Sequence, residues 1–207
     1  MGTREFFSTP IYLENLVKSS SLTFAREIKE QCHLIRKIDD EGVRWSEENY
    51  VNGYTSYGSL TDLHLNFPHF IDLKKLLMRH VRKFARHLEL DLQGGQLEMS
   101  SCWVNIMSKG SHHSLHLHPL SVISGTYYVS VPKGSSRIKF EDPRLAFMMA
   151  APPKIERTKK PLFVTLEPRT GQVGLWESWL RHEVPVQKST QDRISISFNF
   201  DWVAKKL

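Results

Sequence analysis

RISISFNFDW, residues 193–202, alternates throughout: Ile194, Ile196, Phe198, Phe200 and Trp202 fall on one side, and Arg193, Ser195, Ser197, Asn199 and Asp201 on the other. A period of two over ten residues marks a half-buried β-strand, because successive side chains leave a pleated strand in opposite directions. Upstream lie further short runs of strand character at 97–107, 122–131, 137–141, 162–166 and 172–176, divided by turn-forming residues. Several short strands separated by turns predict a sandwich or jelly roll.

Before Gly94 and Gly95 the period changes. Residues 21–38 carry Phe24, Ile28, Cys32, Ile35 and Ile38 on one helical stripe, and residues 70–90 carry Leu73, Leu76, Leu77, His80, Val81, Phe84 and Leu88 on another. Between them, residues 42–60 are rich in Gly, Asn, Ser and Tyr and read as loops and short strands. The Gly pair is expected to end the second helix and open the strand-rich half. The expected architecture is α+β: a jelly-roll core over 95–207, buttressed by helices within 1–94, in one domain spanning 1–207.

Bulk properties narrow the functional classes. At 207 residues, 40% hydrophobic and 24% charged, the chain has the composition of one globular domain with a real core. No apolar run reaches membrane-spanning length, and the opening MGTREFFSTP lacks a signal-peptide layout. Two distant cysteines, Cys32 and Cys102, outside any CxxC pattern, point to neither a disulfide framework nor a zinc ribbon and favour the cytoplasm. Lys plus Arg exceed Asp plus Glu by 28 − 22 = 6. The densest basic stretch, 74–87, interleaves its charges with apolar residues at helical spacing, so it reads as the wet face of a packing helix. No nucleic-acid-binding signature accompanies it, which argues against a nucleic-acid partner.

The chemistry concentrates in HHSLHLHP, residues 112–119, which holds His112, His113, His116 and His118. Residues two apart on a strand share a side, so His116 and His118 are expected to point together into the barrel, a natural pair of ligands for iron, zinc or copper. His112 and His113 suit a loop or a supporting role. A third ligand must come from elsewhere, and His182, after the strand run at 172–176 and a short turn, is the candidate. Arg193 opens the last strand, with Ser195 on its face; a guanidinium and a hydroxyl there would clamp a carboxylate.

With those residues in place the sequence resembles the Fe(II)- and 2-oxoglutarate-dependent oxygenases of the double-stranded β-helix fold. Their pattern, H-x-D/E, a distal His, then Arg with Ser or Thr two later, becomes His116-Leu117-His118, His182 and Arg193-Ile194-Ser195. More narrowly, HLHPLSVISGTYYVSVP, the FEDPR of 140–144, SWLRHEVPV and RISISFNF resemble a group of bacterial and phage proteins of this kind, over roughly 97–202, with a weaker likeness at STPIYLENL. The resemblance implies Fe(II) held by His116, His118 and His182, with 2-oxoglutarate chelating the iron and its far carboxylate on Arg193 and Ser195. It also implies O₂ as co-reactant, an iron-oxo intermediate, release of succinate and CO₂, and hydroxylation of an unidentified substrate, a small molecule or a protein side chain. Asn105 and Tyr127 or Tyr128 are expected pocket donors. The departure is His118, where the family has a carboxylate. Three explanations stay open: a three-histidine site, Asp142 of FEDPR swinging in as the carboxylate, or another metal or none.

Two other classes compete. Gly110-x5-His116-x-His118 fits the opening of a cupin signature, but Val122 and Ile123 stand where its glutamate belongs, and eleven residues separate Gly171 from His182. A cupin has no need of the Arg193 and Ser195 clamp. A non-catalytic jelly-roll binding protein would bind no stoichiometric metal. Loops at 50–60 and 144–160 are the expected cover of the barrel mouth, and the outer faces of a jelly roll leave room for a homodimer.

Overall fold

The computed structural model describes residues 2–16, 22–144 and 148–205. The N-terminal part holds β1 (Tyr12–Asn15), α1 (Leu22–Ile38), α2 (Asp40–Asn49), β2 (Gly53–Thr55), a 3₁₀ turn (Ser56–Gly58), α3 (Leu63–Asn66) and α4 (Pro68–His87). The remainder is β3 (Gln96–Met107), β4 (His113–His116), β5 (Ile123–Ser130), β6 (Ile138–Glu141), β7 (Phe163–Leu166), β8 (Gln172–Glu177), β9 (His182–Val184) and β10 (Arg193–Val203).

The two helical stripes form as their spacing predicts, except that Ile38, the last residue of α1, is 54% exposed. Ile28, Cys32 and Ile35 of α1 and Phe70, Leu73, Leu77, Val81 and Phe84 of α4 are buried together against the larger sheet, in one cluster with Ile194, Ile196, Phe198 and Phe200. Each fully buried side chain of this size contributes about 1.5–3 kcal/mol. The second helix ends earlier than the sequence suggested. Its last residue is His87, and Glu89 (φ 55°), rather than a glycine, takes the left-handed position beyond it. The Leu90 N–H then reaches back to the Ala85 carbonyl at 3.1 Å, which satisfies an orphan carbonyl of the last turn. Gly94 (φ 74°) serves the later turn into β3.

Residues 42–60 depart further from expectation, since 42–49 belong to helix α2. Asp39 caps it by accepting the Gly42 N–H at 2.9 Å, and Asp40 and Glu41 occupy its first turn. Its buried residues are Gly42 and Ser46, so it has no apolar stripe for periodicity to reveal.

The strands form two antiparallel sheets, ordered β1-β8-β5-β10-β3-β2 and β4-β9-β6-β7. β10 lies between β5 and β3 and is buried on both faces. Ile194, Ile196, Phe198 and Phe200 face the helices, whereas Arg193, Ser195 and Ser197 line a cleft shared with the smaller sheet. This is the double-stranded β-helix arrangement with buttressing helices. Trp202 leaves the core at the strand's end, 44% exposed, its indole N–H donating to the Leu92 carbonyl at 2.9 Å. Among the described residues no helix is long and apolar enough to cross a membrane.

Candidate metal centre

Strands β4 and β9 pair antiparallel with His116 directly opposite His182. The β4 ladder stops there, so His118 is not a second position of the same strand, as its spacing had suggested. It lies two residues beyond, where its backbone N–H donates to the Ser178 carbonyl at 3.0 Å. The three rings nevertheless converge. Centroids are 5.2 Å apart for His116 and His118, 4.3 Å for His116 and His182, and 5.2 Å for His118 and His182. One ring nitrogen from each lies within 4.8 Å of the others.

The tautomers of two rings are set by carbonyl oxygens, which can only accept. His116 Nδ1 donates to the Ser114 carbonyl at 2.6 Å and His182 Nδ1 to the Leu180 carbonyl at 2.9 Å. Each therefore keeps its Nε2 lone pair free, which is the usual way an outer hydrogen bond aims an imidazole at a metal. Burial, and then the neighbouring His116, lowers His182 to about 3 and His118 to about 4. Both rings are neutral at physiological pH, the state a metal needs.

Lining the cleft is Arg193, 2% exposed. Among the described residues its Nη1 has only weak partners, Ser195 Oγ at 3.3 Å and Met107 Sδ at 3.4 Å, and its Nε has none. The Tyr128 ring lies 5.3 Å from the guanidinium carbon. Burial lowers its pKa, opposed by Tyr128 and Tyr50. A buried cation with unspent donors and no carboxylate among the residues lining its cleft is built to receive an anion. Three convergent imidazole nitrogens and this guanidinium within one cleft fit a divalent metal with a dicarboxylate cosubstrate.

The cleft is lined by His116, His118, His182, Arg193, Ser195 and Asn105, all singled out from the sequence. Asn105 lies opposite Ser195 in register; its amide donates to Ser197 Oγ at 3.1 Å and its carbonyl oxygen accepts from Thr55 Oγ1 at 2.8 Å. Tyr128 does not line this cleft; it packs behind Arg193, between it and a small apolar void bounded by Phe140 and Trp176. Tyr127 packs in the core on the opposite side of the sheet. Asp142 lies outside the histidine group, with both oxygens occupied by Arg144, whose Nε donates at 2.8 Å and Nη2 at 2.6 Å.

Sequence reasoning missed the aromatic walls. Trp176 stands edge-on to His182 at 4.7 Å, and Trp103 lies 5.9 Å from His118. Both sit in runs recognised as strands, but which face each takes depends on strand pairing. His113 also lines the cleft, stacked on Tyr50 at 4.8 Å and hydrogen-bonded to its hydroxyl at 2.8 Å. Of the two expected covering loops, 50–60 reaches the site: Tyr57, 55% exposed, packs edge-on to Trp103 at 5.0 Å. In the other, residues 145–147 lie outside the described residues, and none of the rest lines the cleft.

Residues 101–199 match a protein family described as "Putative 2OG-Fe(II) oxygenase". The sequence has no match among curated proteins. Among solved structures, an oxidoreductase of the 2OG-Fe(II) oxygenase family from Burkholderia pseudomallei is 19% identical, with TM-score 0.50 over 66% of this chain and 58% of its own. HygX from Streptomyces hygroscopicus, solved with nickel, 2-oxoglutarate and hygromycin B bound, is 15% identical, with TM-score 0.61 over 93% of this chain and 83% of its own. A Pseudomonas putida prolyl-4-hydroxylase is 11% identical, with TM-score 0.60 over 96% and 95%. At these identities the likeness is one of fold.

Proposed function

We infer, from the match of residues 101–199 to the 2OG-Fe(II) oxygenase family, that this chain is a dioxygenase of that kind, holding Fe(II) on His116, His118 and His182 and hydroxylating a substrate yet to be identified. When bound, iron and 2-oxoglutarate supply the oxidising chemistry: O₂ is consumed, the cosubstrate leaves as succinate and CO₂, and a substrate C–H bond gains oxygen. The observation that carries the reading is the pairing, within one cleft, of three convergent imidazoles with a buried arginine that has no anionic partner among the described residues.

This chain's residues divide the work. His116 and His182 offer Nε2 because the Ser114 and Leu180 carbonyls hold their Nδ1 protons. Arg193 and the Ser195 hydroxyl receive the far carboxylate of the cosubstrate, a charge-assisted contact strengthened by burial. Tyr128 backs the guanidinium with its ring face, and Asn105 fixes the hydroxyl row beside Ser195 through Ser197. Trp103 and Trp176 wall the centre and exclude water. Three neutral ligands leave the divalent charge uncompensated, so together with Arg193 they favour a dianion more than a site containing a carboxylate ligand would. Asp142 is not needed as a ligand in this reading, because Arg144 already engages both its oxygens.

The chain works as one domain in this reading, in the cytoplasm, where its two buried free cysteines stay reduced. The exposed charges of α4 are the wet side of a buttress, so nucleic acid is not its partner, and the outer sheet faces leave room for a homodimer.

The test is an anaerobic titration of 2-oxoglutarate into the Fe(II)-loaded protein, followed by the visible metal-to-ligand charge-transfer band. A saturable band, abolished by His182→Ala and weakened by Arg193→Ala, is the expected result. Iron binding without a band would favour a cupin-like metalloprotein, and no iron binding would end the oxygenase reading.

A further inference from the structure

His118 lies beyond the end of β4, so no strand ladder fixes its direction. What holds it is the turn between β8 and β9. The Ser178 carbonyl of that turn accepts the His118 N–H at 3.0 Å, and the Leu180 carbonyl of the same turn accepts His182 Nδ1–H at 2.9 Å. The ring of His182 and the backbone of His118 are thus held by one short stretch of chain, and anything that shifts it moves both.

That turn is tied to the large sheet by buried polar side chains. The Ser178 N–H donates to the Val122 carbonyl at 3.1 Å. Ser178 Oγ and Ser124 Oγ are 2.7 Å apart, and Ser124 spends its one proton on Asn199 Oδ1 at 2.8 Å, so Ser178 is the donor of that pair. Asn199 Nδ2 donates onward to Ser101 Oγ at 3.0 Å. The chain crosses β3, β10 and β5 before it reaches the turn. Ser178, Ser124 and Asn199 are all buried, where an unpaired hydroxyl or amide is costly and a paired one accepts few alternative positions.

We propose that Asn199 and Ser124, acting through Ser178, are positioning residues for the metal centre: they lock the β8–β9 turn so that His118 and His182 present their rings together. The relay gives a ligand outside the strand the rigidity that a ladder gives His116. This rests on the three-histidine reading above, and outer contacts of this kind typically set metal affinity by about ten- to a hundredfold.

Cobalt(II) is the probe, because its visible d–d absorption reports ligand geometry without turnover. Wild type, His118→Ala, Asn199→Ala, Ser124→Ala and Ser101→Ala are titrated, and each is melted without metal. Asn199→Ala and Ser124→Ala are expected to bind cobalt about ten- to a hundredfold more weakly than wild type, with an altered band, while Ser101→Ala, at the far end, changes less. Should Asn199→Ala fail to fold, Ser124→Ala, which removes one hydroxyl, carries the test. If wild type binds no cobalt, the three-histidine reading falls and takes the relay with it. If wild type binds and His118→Ala does not, yet both relay variants keep wild-type affinity and spectrum, the relay is overturned and the metal reading stands. A lower ligand-free melting temperature with an unchanged band is the signature of a merely structural role, and it too overturns the proposal.

Discussion

Arg193→Met should separate two properties that the native side chain combines. The guanidinium carries five N–H donors, yet among the described residues its hydrogen-bonding neighbours are Met107 Sδ at 3.4 Å and Ser195 Oγ at 3.3 Å, and its Nε is unpartnered there. A buried charge left without its counter-charge is destabilising, and an apolar side chain of similar length removes that cost. We expect the ligand-free variant to gain about 1–3 kcal/mol, which for a chain of this size is roughly 2–12 °C in Tm. Cosubstrate should act in the opposite direction. In the metal-loaded wild type, 2-oxoglutarate at a hundredfold excess over Kd adds about 2.7 kcal/mol, roughly 5–11 °C. Losing a buried charge-assisted contact costs about 2–5 kcal/mol of binding. The same concentration should therefore stabilise Arg193→Met by about 1 kcal/mol or less. The assay is anaerobic thermal unfolding of both proteins, each with metal, with and without 2-oxoglutarate. A ligand-free variant several degrees less stable than wild type, with its cosubstrate shift intact, would refute the argument that this arginine is held in reserve for an anion.

Four further outcomes can be measured. His118→Ala should weaken divalent-metal binding at least about a hundredfold, whereas His118→Asp, which restores a ligating side chain, should retain most of it; equal affinities for the two in calorimetry would remove His118 from the site. Asp142→Asn should leave metal affinity within about threefold of wild type, because that carboxylate is engaged by Arg144, and a large loss would reinstate it as a ligand. Burial, then His116, lowers His113 and His182 to about 3 and His118 to about 4, against 6.5 for an unperturbed histidine. The unfolded chain therefore protonates first, so stability is complete above pH 6.5 and falls as pH drops toward 4, with a slope approaching three protons; denaturant melts of metal-free protein from pH 8 to 4 would contradict this by staying flat. Gly125→Ala should cost about 1–3 kcal/mol or more, since its Cβ would meet the Gly174 carbonyl, Leu175 and Phe198 at 2.6 Å, and an unchanged Tm would mean that β5 can shift.

Local patterning determined a large share of this protein. The alternation of residues 193–202 and the apolar stripes of α1 and α4 are properties of backbone geometry, legible because a strand repeats every two residues and a helix every 3.6. His116, His118, His182, Arg193 and Ser195 were legible as residue types at telling separations, Asn105 only as a pocket donor implied by the family resemblance, and the fold gathers all six into one cleft. Helix α2 escaped because it buries Gly42 and Ser46, which leave no hydrophobic period to read. Tyr128 was expected in the pocket and lies behind it, and the walls formed by Trp103 and Trp176 went unnoticed, because each depends on which face of a paired strand turns toward the smaller sheet. Only the tertiary structure set His116 opposite His182 across β4 and β9, carried His118 past the strand end onto the Ser178 carbonyl, and buried Arg193 in a cleft with no carboxylate among its described lining residues. Those are relations between segments distant in sequence, fixed by strand register and sheet packing, and no single stretch of the chain contains them.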